Sequence, residues 1–328
     1  MRSLTPSAYR KLTTFALVSL ALIIVTGATV RLTGSGLGCS DWPTCEEDQF
    51  VADLSFHPMV EFINRLVTGV VSIAAVVAVL GALRRTPRRA DLTRWSWGLV
   101  AGVIAQIIIG MFVVQLELDP RLVLLHFLVS MVLIWNAVVL RHRAALPDAL
   151  YEARQTRSED AALTAPKNAD LGHLLWPARL ITAITMYVIV VGTLVTGSGP
   201  HTGSERASGE PIERLPFAIR SITQAHSFGV IVLLAVVLGT IWLARTQKSG
   251  SGFALLQKEL GELLGVLLFQ GAIGYTQYFT GVPALLVGVH IVGSILVWVT
   301  VLRLHLRIAW GAPQAAVAPQ RRVVAAHA

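Results

Sequence analysis

The sequence predicts an all-α integral membrane protein: eight transmembrane helices in two pseudo-symmetric four-helix bundles, with both termini cytoplasmic. Three observations point there. Apolar residues come in long uninterrupted runs, basic residues gather in alternate loops, and the chain repeats itself at a period near 164 residues. Of its 328 residues, 54% are hydrophobic and only 14% charged, and the mean hydropathy is +0.65. A soluble domain this apolar lacks the polar residues to cover its surface, whereas runs of about twenty apolar residues match a hydrocarbon core of about 30 Å.

The spans are expected over residues 12–31, 58–81, 95–115, 122–140, 178–196, 221–243, 260–279 and 284–302. The first is too long for a signal-peptide core and no small-residue cleavage site follows it, so it reads as a helix. Formal charge +8 and a pI near 10.1 invite a nucleic-acid partner. The basic residues sit in short loops between apolar runs, so membrane topology accounts for them and no nucleic-acid partner is expected. With the N-terminus inside, the cytoplasmic side collects most of the 27 Lys and Arg, among them Arg84, Arg85, Arg88, Arg89, Arg94, Arg141 and Arg143. A multi-pass protein of the cell membrane follows. The two cysteines, Cys39 and Cys45, fall in the first outer loop. On that oxidising side a disulfide closing the loop is expected, with two free thiols or a metal pair as alternatives.

The repeat is visible residue by residue. Thr33-Gly34-Ser35-Gly36 recurs as Thr196-Gly197-Ser198-Gly199, Gln106 and Gly110 as Gln270 and Gly274, and His126 with Ser130 as His290 with Ser294. Four spans per copy return the chain to its starting side, so the copies are parallel. The expected division is an N-terminal bundle over 1–142, a cytoplasmic linker over 143–176, a C-terminal bundle over 177–310 and a disordered cytoplasmic tail over 311–328. The linker is polar and holds Pro147 and Pro166, with room for a short surface helix.

His126, His226 and His290 lie within about two turns of the outer ends of their spans. Ionisable groups inside a membrane are costly and by default functional. No carboxylate accompanies His226 or His290, and no Cys lies within the membrane, which disfavours zinc or di-iron. Two imidazoles from facing helices suit the axial positions of a haem iron, so spans six and eight read as a bis-His b-type haem site. Gly229, Gly288 and Gly293 are available either for close approach of a macrocycle or for helix packing. His142, His173, His305 and His327 are placed mostly in loops or tails. The first half departs from this pattern. The position mirroring His226 is Asn64, while His57, Glu61, Asn64 and Arg65 share one helix face. Glu61 and Arg65 read either as an ion pair that carries both into the membrane, or as a proton-handling carboxylate beside a second porphyrin held by His126. The second reading is preferred.

The loop Gly34-Ser35-Gly36-Leu37-Gly38-Cys39-Ser40-Asp41-Trp42-Pro43-Thr44-Cys45 resembles the first outer loop of haem A synthases. Glu61-Phe62-Ile63-Asn64-Arg65-Leu66 is similar to that family's E-x-x-H-R-L signature, and the H-[FI]-x-x-S contexts of His126 and His290 match as well. The resemblance covers nearly the whole chain. It implies a haem b cofactor on His226 and His290, and haem O as substrate in the first bundle, where its ring methyl is oxidised to the formyl of haem A. It further implies His126 as a substrate-haem ligand, Glu61 as the essential carboxylate, Cys39–Cys45 as a disulfide, and the haem O synthase and the terminal-oxidase assembly machinery as partners. Asn64 stands where the commoner pattern has His, which leaves bis-His ligation of the substrate haem open, with His57 two turns away as the alternative ligand. Two rival readings stand beside this one: a bis-His membrane cytochrome for electron transfer, and a haem transporter or chaperone.

Overall fold

Capping residues and prolines set the helix starts. Thr5 accepts the Ala8 N–H (3.2 Å) with Pro6 opening the first turn, and Asp119 accepts the Arg121 N–H (2.8 Å) with Pro120 behind it. Proline at this position costs nothing, since its missing N–H has no intrahelical partner there. The structure, a computed structural model, describes residues 3–45, 51–156, 168–204, 210–246 and 251–310. Its helices are α1 (Pro6–Leu32), α2 (Phe56–Arg84), α3 (Ala90–Gln115), α4 (Pro120–Ala145), α5 (Asp148–Thr156), α6 (Leu175–Ser198), α7 (Ile219–Arg245), α8 (Ser251–Phe279) and α9 (Ala284–Trp310), with a 3₁₀ turn at Asn168–Leu174.

Among the described residues, 7 helices are long and apolar enough to cross a membrane: α1 to α4, α6, α7 and α9. The expected span at 260–279 falls within α8, which is not one of the 7. Every span expected from the sequence is a helix, and each helix overruns the expected bounds, because polar and basic residues at the ends continue the backbone ladder beyond the apolar run. Phe15, Val18, Leu22, Ile73, Ile104, Ile108 and Leu296 point outward. An exterior this apolar needs lipid as its solvent, and the chain is a multi-pass membrane protein.

The extensive helix contacts run around two rings, α1–α2–α3–α4 and α6–α7–α8–α9, so α2 faces α4 across one ring and α7 faces α9 across the other. The rings meet along a seam where α1 and α4 pack against α6 and α9. There the Trp298 indole N–H donates to the Met131 carbonyl (3.0 Å). Arg31 donates to the carbonyls of His201 (2.8 Å) and Thr196 (3.0 Å) at the end that carries the Cys39–Cys45 loop.

The α3–α4 and α8–α9 turns share one backbone form. Glu117 (φ 49°) and Leu118 (φ 63°) occupy the left-handed region in the first, Gly281 (φ 80°) and Val282 (φ 60°) in the second. Each turn closes with an N–H reaching five residues back, Leu118 to Val113 (2.8 Å) and Val282 to Gln277 (2.7 Å). The non-glycine residues there carry a cost of about 1–2 kcal/mol each.

At the opposite end the segment after α4 is not free. Asp148, at the start of α5, pairs with the fully buried Arg85 (2.6 Å) and reaches Arg89 (3.5 Å). Asp91 pairs with Arg89 (2.8 Å) and Arg143 (3.4 Å). The linker expected over 143–176 therefore begins as a docked helix, while its stretch at 157–167 and the expected tail at 311–328, with His327, lie outside the described residues. His142 and His305 are also not loop residues. His142 is buried in the last turn of α4, and His305 sits within α9 with Nδ1 2.8 Å from the Thr182 hydroxyl. Removing one partner of a buried pair leaves an uncompensated charge, at about 3–5 kcal/mol. Asp148→Ala is accordingly expected to lower the thermal midpoint in detergent. The Arg85→Met/Asp148→Ala double variant should recover part of the loss, a check that needs only unfolding curves.

Candidate functional site

The site begins with two residues one turn apart on α2. Glu61 is buried, and both its oxygens are taken: Oε1 by Arg65 (2.7 Å) and Oε2 by the Cys39 backbone N–H (2.9 Å). Arg65 then turns its other terminal nitrogen onto the backbone carbonyls of Asp41 (2.8 Å), Pro43 (3.3 Å) and Thr44. A planar guanidinium with several fixed donors suits this task, where a lysine point charge would not. Cys39 and Cys45 form the disulfide expected from their loop, and both are buried. Gly38 lets the loop lie flat on the first turn of α2: a Cβ there would sit 2.5 Å from the His57 carbonyl oxygen. The loop, the carboxylate and the guanidinium form one unit.

The other residues of the expected α2 face go separate ways. His57 is exposed in the first turn, with Nδ1 2.9 Å from the Ser35 hydroxyl. Asn64 turns toward α1, where its Oδ1 accepts from the Thr26 hydroxyl (2.7 Å). Glu61 and Arg65 thus face the Cys loop while Asn64 faces a neighbouring helix, a divergence that helical spacing alone left hidden.

In the second ring His226 of α7 and His290 of α9 meet across the diagonal, ring centroids 6.4 Å apart. His226 Nδ1 lies 3.1 Å from the Val188 carbonyl, which fixes that nitrogen as donor and leaves Nε2 with its lone pair available. Metal–imidazole bonds are about 2 Å long, so two rings sharing one ion through facing nitrogens lie with centroids about 6 Å apart. The observed spacing fits that arrangement, and the two residues fit a haem iron. In the first ring His126 occupies the matching place on α4.

Small residues border these rings. A Cβ on Gly192 would lie 3.0 Å from His226 Cε1, one on Gly274 3.3 Å from His290 Cε1, and one on Gly110 3.4 Å from His126 Cε1. Gly110 and Gly274 stood out in the sequence as repeat markers, and their repetition was the available clue to this role. The glycines expected near a macrocycle behave differently. Gly229 abuts Tyr187 and Val188, Gly288 abuts Leu32, and Gly293 abuts Gln270. Their nearest neighbours are packing contacts between helices.

Gln106 and Gln270 are the residues whose role the sequence did not disclose. Gln106 Nε2 donates to the His126 carbonyl (2.9 Å) and the Ser130 hydroxyl (2.7 Å). Gln270 Nε2 donates to the His290 carbonyl (2.8 Å).

The COX15-CtaA family model, described as cytochrome oxidase assembly protein, matches residues 10–55 and 48–302. The heme A synthase of Lysinibacillus sphaericus (strain C3-41) is 30% identical over 190 residues, 58% of this chain and 57% of that protein. That of Exiguobacterium sibiricum is 31% identical over 127 residues, 38% of this chain and 43% of that protein. That of Listeria monocytogenes serotype 4a (strain HCC23) is 23% identical over 278 residues, 81% of this chain and 84% of that protein. The aligned chain thus spans about half the length of the first two relatives and most of the third.

Arg65→Gln strips the loop of its guanidinium and leaves Glu61 with the Cys39 N–H alone. Loss of a buried partner predicts a destabilisation of about 3 kcal/mol. It should be read as a lower thermal midpoint and faster protease cleavage in the Cys39–Cys45 loop, with the thiols still blocked to alkylation until reduced.

Proposed function

This chain belongs to the COX15-CtaA family of cytochrome oxidase assembly proteins, and we propose that it is a haem A synthase, oxidising the ring methyl of haem O to the formyl group of haem A. The observation that carries the reading is the division of labour between the rings. One brings two imidazoles, His226 and His290, together with ring centroids 6.4 Å apart; the other has His126 in the matching place, Asn64 opposite and, near the same end, a buried carboxylate under a disulfide-closed loop. The relatives' printed name, heme A synthase, supports it.

On this reading the fold is two copies of a four-helix unit with α8 as the eighth span and both termini cytoplasmic in the cell membrane. The matching α3–α4 and α8–α9 turns and the matching Gln–His contacts support the duplication. The basic end around Arg85, Arg89 and Arg143 supports the orientation.

His226 and His290 would hold haem b. When bound, haem b supplies one-electron acceptance for a reaction that removes electrons and protons from a methyl group. His126 holds the substrate haem from α4. Asn64, bonded to Thr26, leaves that position without a second imidazole, and His57 is committed to Ser35 at the loop. Glu61 is the general base or electrostatic partner for charge developing at the methyl carbon. Arg65 and the Cys39 N–H hold its two oxygens, so it is preorganised. The Cys39–Cys45 loop shields the carboxylate from water. The apolar exterior suits a prenylated substrate arriving through the bilayer.

Two measurements test this. His226→Ala and His290→Ala should each abolish a low-spin bis-imidazole spectrum in the purified protein; a full haem b complement with an unchanged reduced spectrum in both would remove the cofactor assignment. Glu61→Gln should leave that spectrum intact while haem A formation drops by about 10²–10⁴ and haem O accumulates in chromatographed extracts. Near-normal haem A from Glu61→Gln would end the catalytic claim.

A further inference from the structure

Among the buried side-chain atoms without a hydrogen-bond partner in the described residues, one pair recurs at the same positions in both rings. His126 Nδ1 and Gln106 Oε1 are unpartnered in the first ring, His290 Nδ1 and Gln270 Oε1 in the second. In each ring the glutamine already grips its histidine, donating Nε2 to that residue's own carbonyl across 20 residues of sequence. A carbonyl only accepts, so this contact fixes the orientation of the amide: nitrogen toward the backbone, oxygen left over. The leftover groups are complementary. Nδ1–H of a histidine that ligates through Nε2 is a donor, and an amide oxygen is an acceptor.

His226 supplies the internal comparison. Its Nδ1 has the Val188 carbonyl at 3.1 Å and does not need a glutamine. Metal-ligating histidines almost always donate their other ring N–H to a carbonyl, carboxylate or water, and that contact sets both ring orientation and ligand basicity. A buried donor left unmet costs about 1–3 kcal/mol, and it recurs here twice, each time with an unmet acceptor on the glutamine that bonds the same histidine's carbonyl.

We propose that Gln106 and Gln270 are positioning residues for His126 and His290: each holds its histidine's backbone carbonyl through Nε2 and accepts the ring Nδ1–H on Oε1 when Nε2 of that ring binds iron. The proposal rests on the ligation reading given above. The glutamine sets the ring's rotation about its long axis, and as a neutral acceptor it keeps the imidazole less anionic than a carboxylate would. Gly110 and Gly274, against the Cε1 edges of the same two rings, leave room for that rotation.

The test uses the full-length protein with its haem in detergent or nanodiscs, comparing Gln270→Glu, Gln270→Leu and His290→Ala. Gln270→Glu keeps size and strengthens the acceptor while giving up the amide donor to the His290 carbonyl, so the haem should be retained with a lower midpoint potential. Gln270→Leu removes the acceptor. It should raise the midpoint potential or weaken haem retention, by about 10–100-fold in affinity as for other outer-shell contacts. Unchanged potentials in both glutamine variants, with haem fully retained, would overturn the proposal while leaving ligation by His290 standing. A low-spin spectrum that survives His290→Ala would overturn the ligation reading itself and this proposal with it.

Discussion

One guanidinium organises the disulfide end of the first ring. Arg65 sits on α2, half-buried beneath the loop, and its terminal nitrogens meet three loop carbonyls and the Glu61 carboxylate. A cation at that depth is expensive unless every donor is met. Meeting them requires the Cys39–Cys45 loop to fold back onto the helix, and the same folding brings the Cys39 N–H onto Glu61. The disulfide then keeps the carbonyls from drifting away. Charge, loop and covalent bond are therefore mutually dependent, and the proposed catalytic carboxylate inherits its rigidity from all three.

The two rings solve the same packing problem with different chemistry. Glycine gives close approach at Gly110, Gly192 and Gly274, so a histidine ring can lie against a neighbouring helix without being filled in by side chains. Glutamine pins the His-bearing helices α4 and α9 to α3 and α8. Asn64 interrupts the pattern: bonded to Thr26 on α1, it makes an ordinary interhelical contact where the corresponding place in the second ring has His226. The asymmetry between His226 with His290 in one ring and His126 with Asn64 and a nearby carboxylate in the other fits one ring used for a resident cofactor and one for a substrate, as proposed.

The opposite end has a mechanical role. Arg85 and Arg89 are drawn into the protein by Asp148 and Asp91, which tie the start of the inter-bundle segment to the base of the first ring. Charges that set topology in the sequence thus become structural once the chain is folded.

Membrane class, helix positions and the identity of the proposed ligand residues were legible in the sequence, because each depends on local properties. Apolar run length determines what can cross a bilayer, and an ionisable residue within such a run is conspicuous against it. Duplication made the histidines and glutamines stand out by their recurrence at one offset. The directions of side chains were a matter for the tertiary structure. Helical spacing put His57, Glu61, Asn64 and Arg65 on one face, yet that face spans enough arc to meet a loop on one side and α1 on the other. Which of Gly229, Gly288, Gly293, Gly192 and Gly274 border an imidazole was likewise open, since a small residue marks a close approach without naming what approaches. The lone acceptor on Gln106 and Gln270 emerges only when α3 meets α4 and α8 meets α9, because an unmet hydrogen bond is a property of neighbours that are distant in sequence.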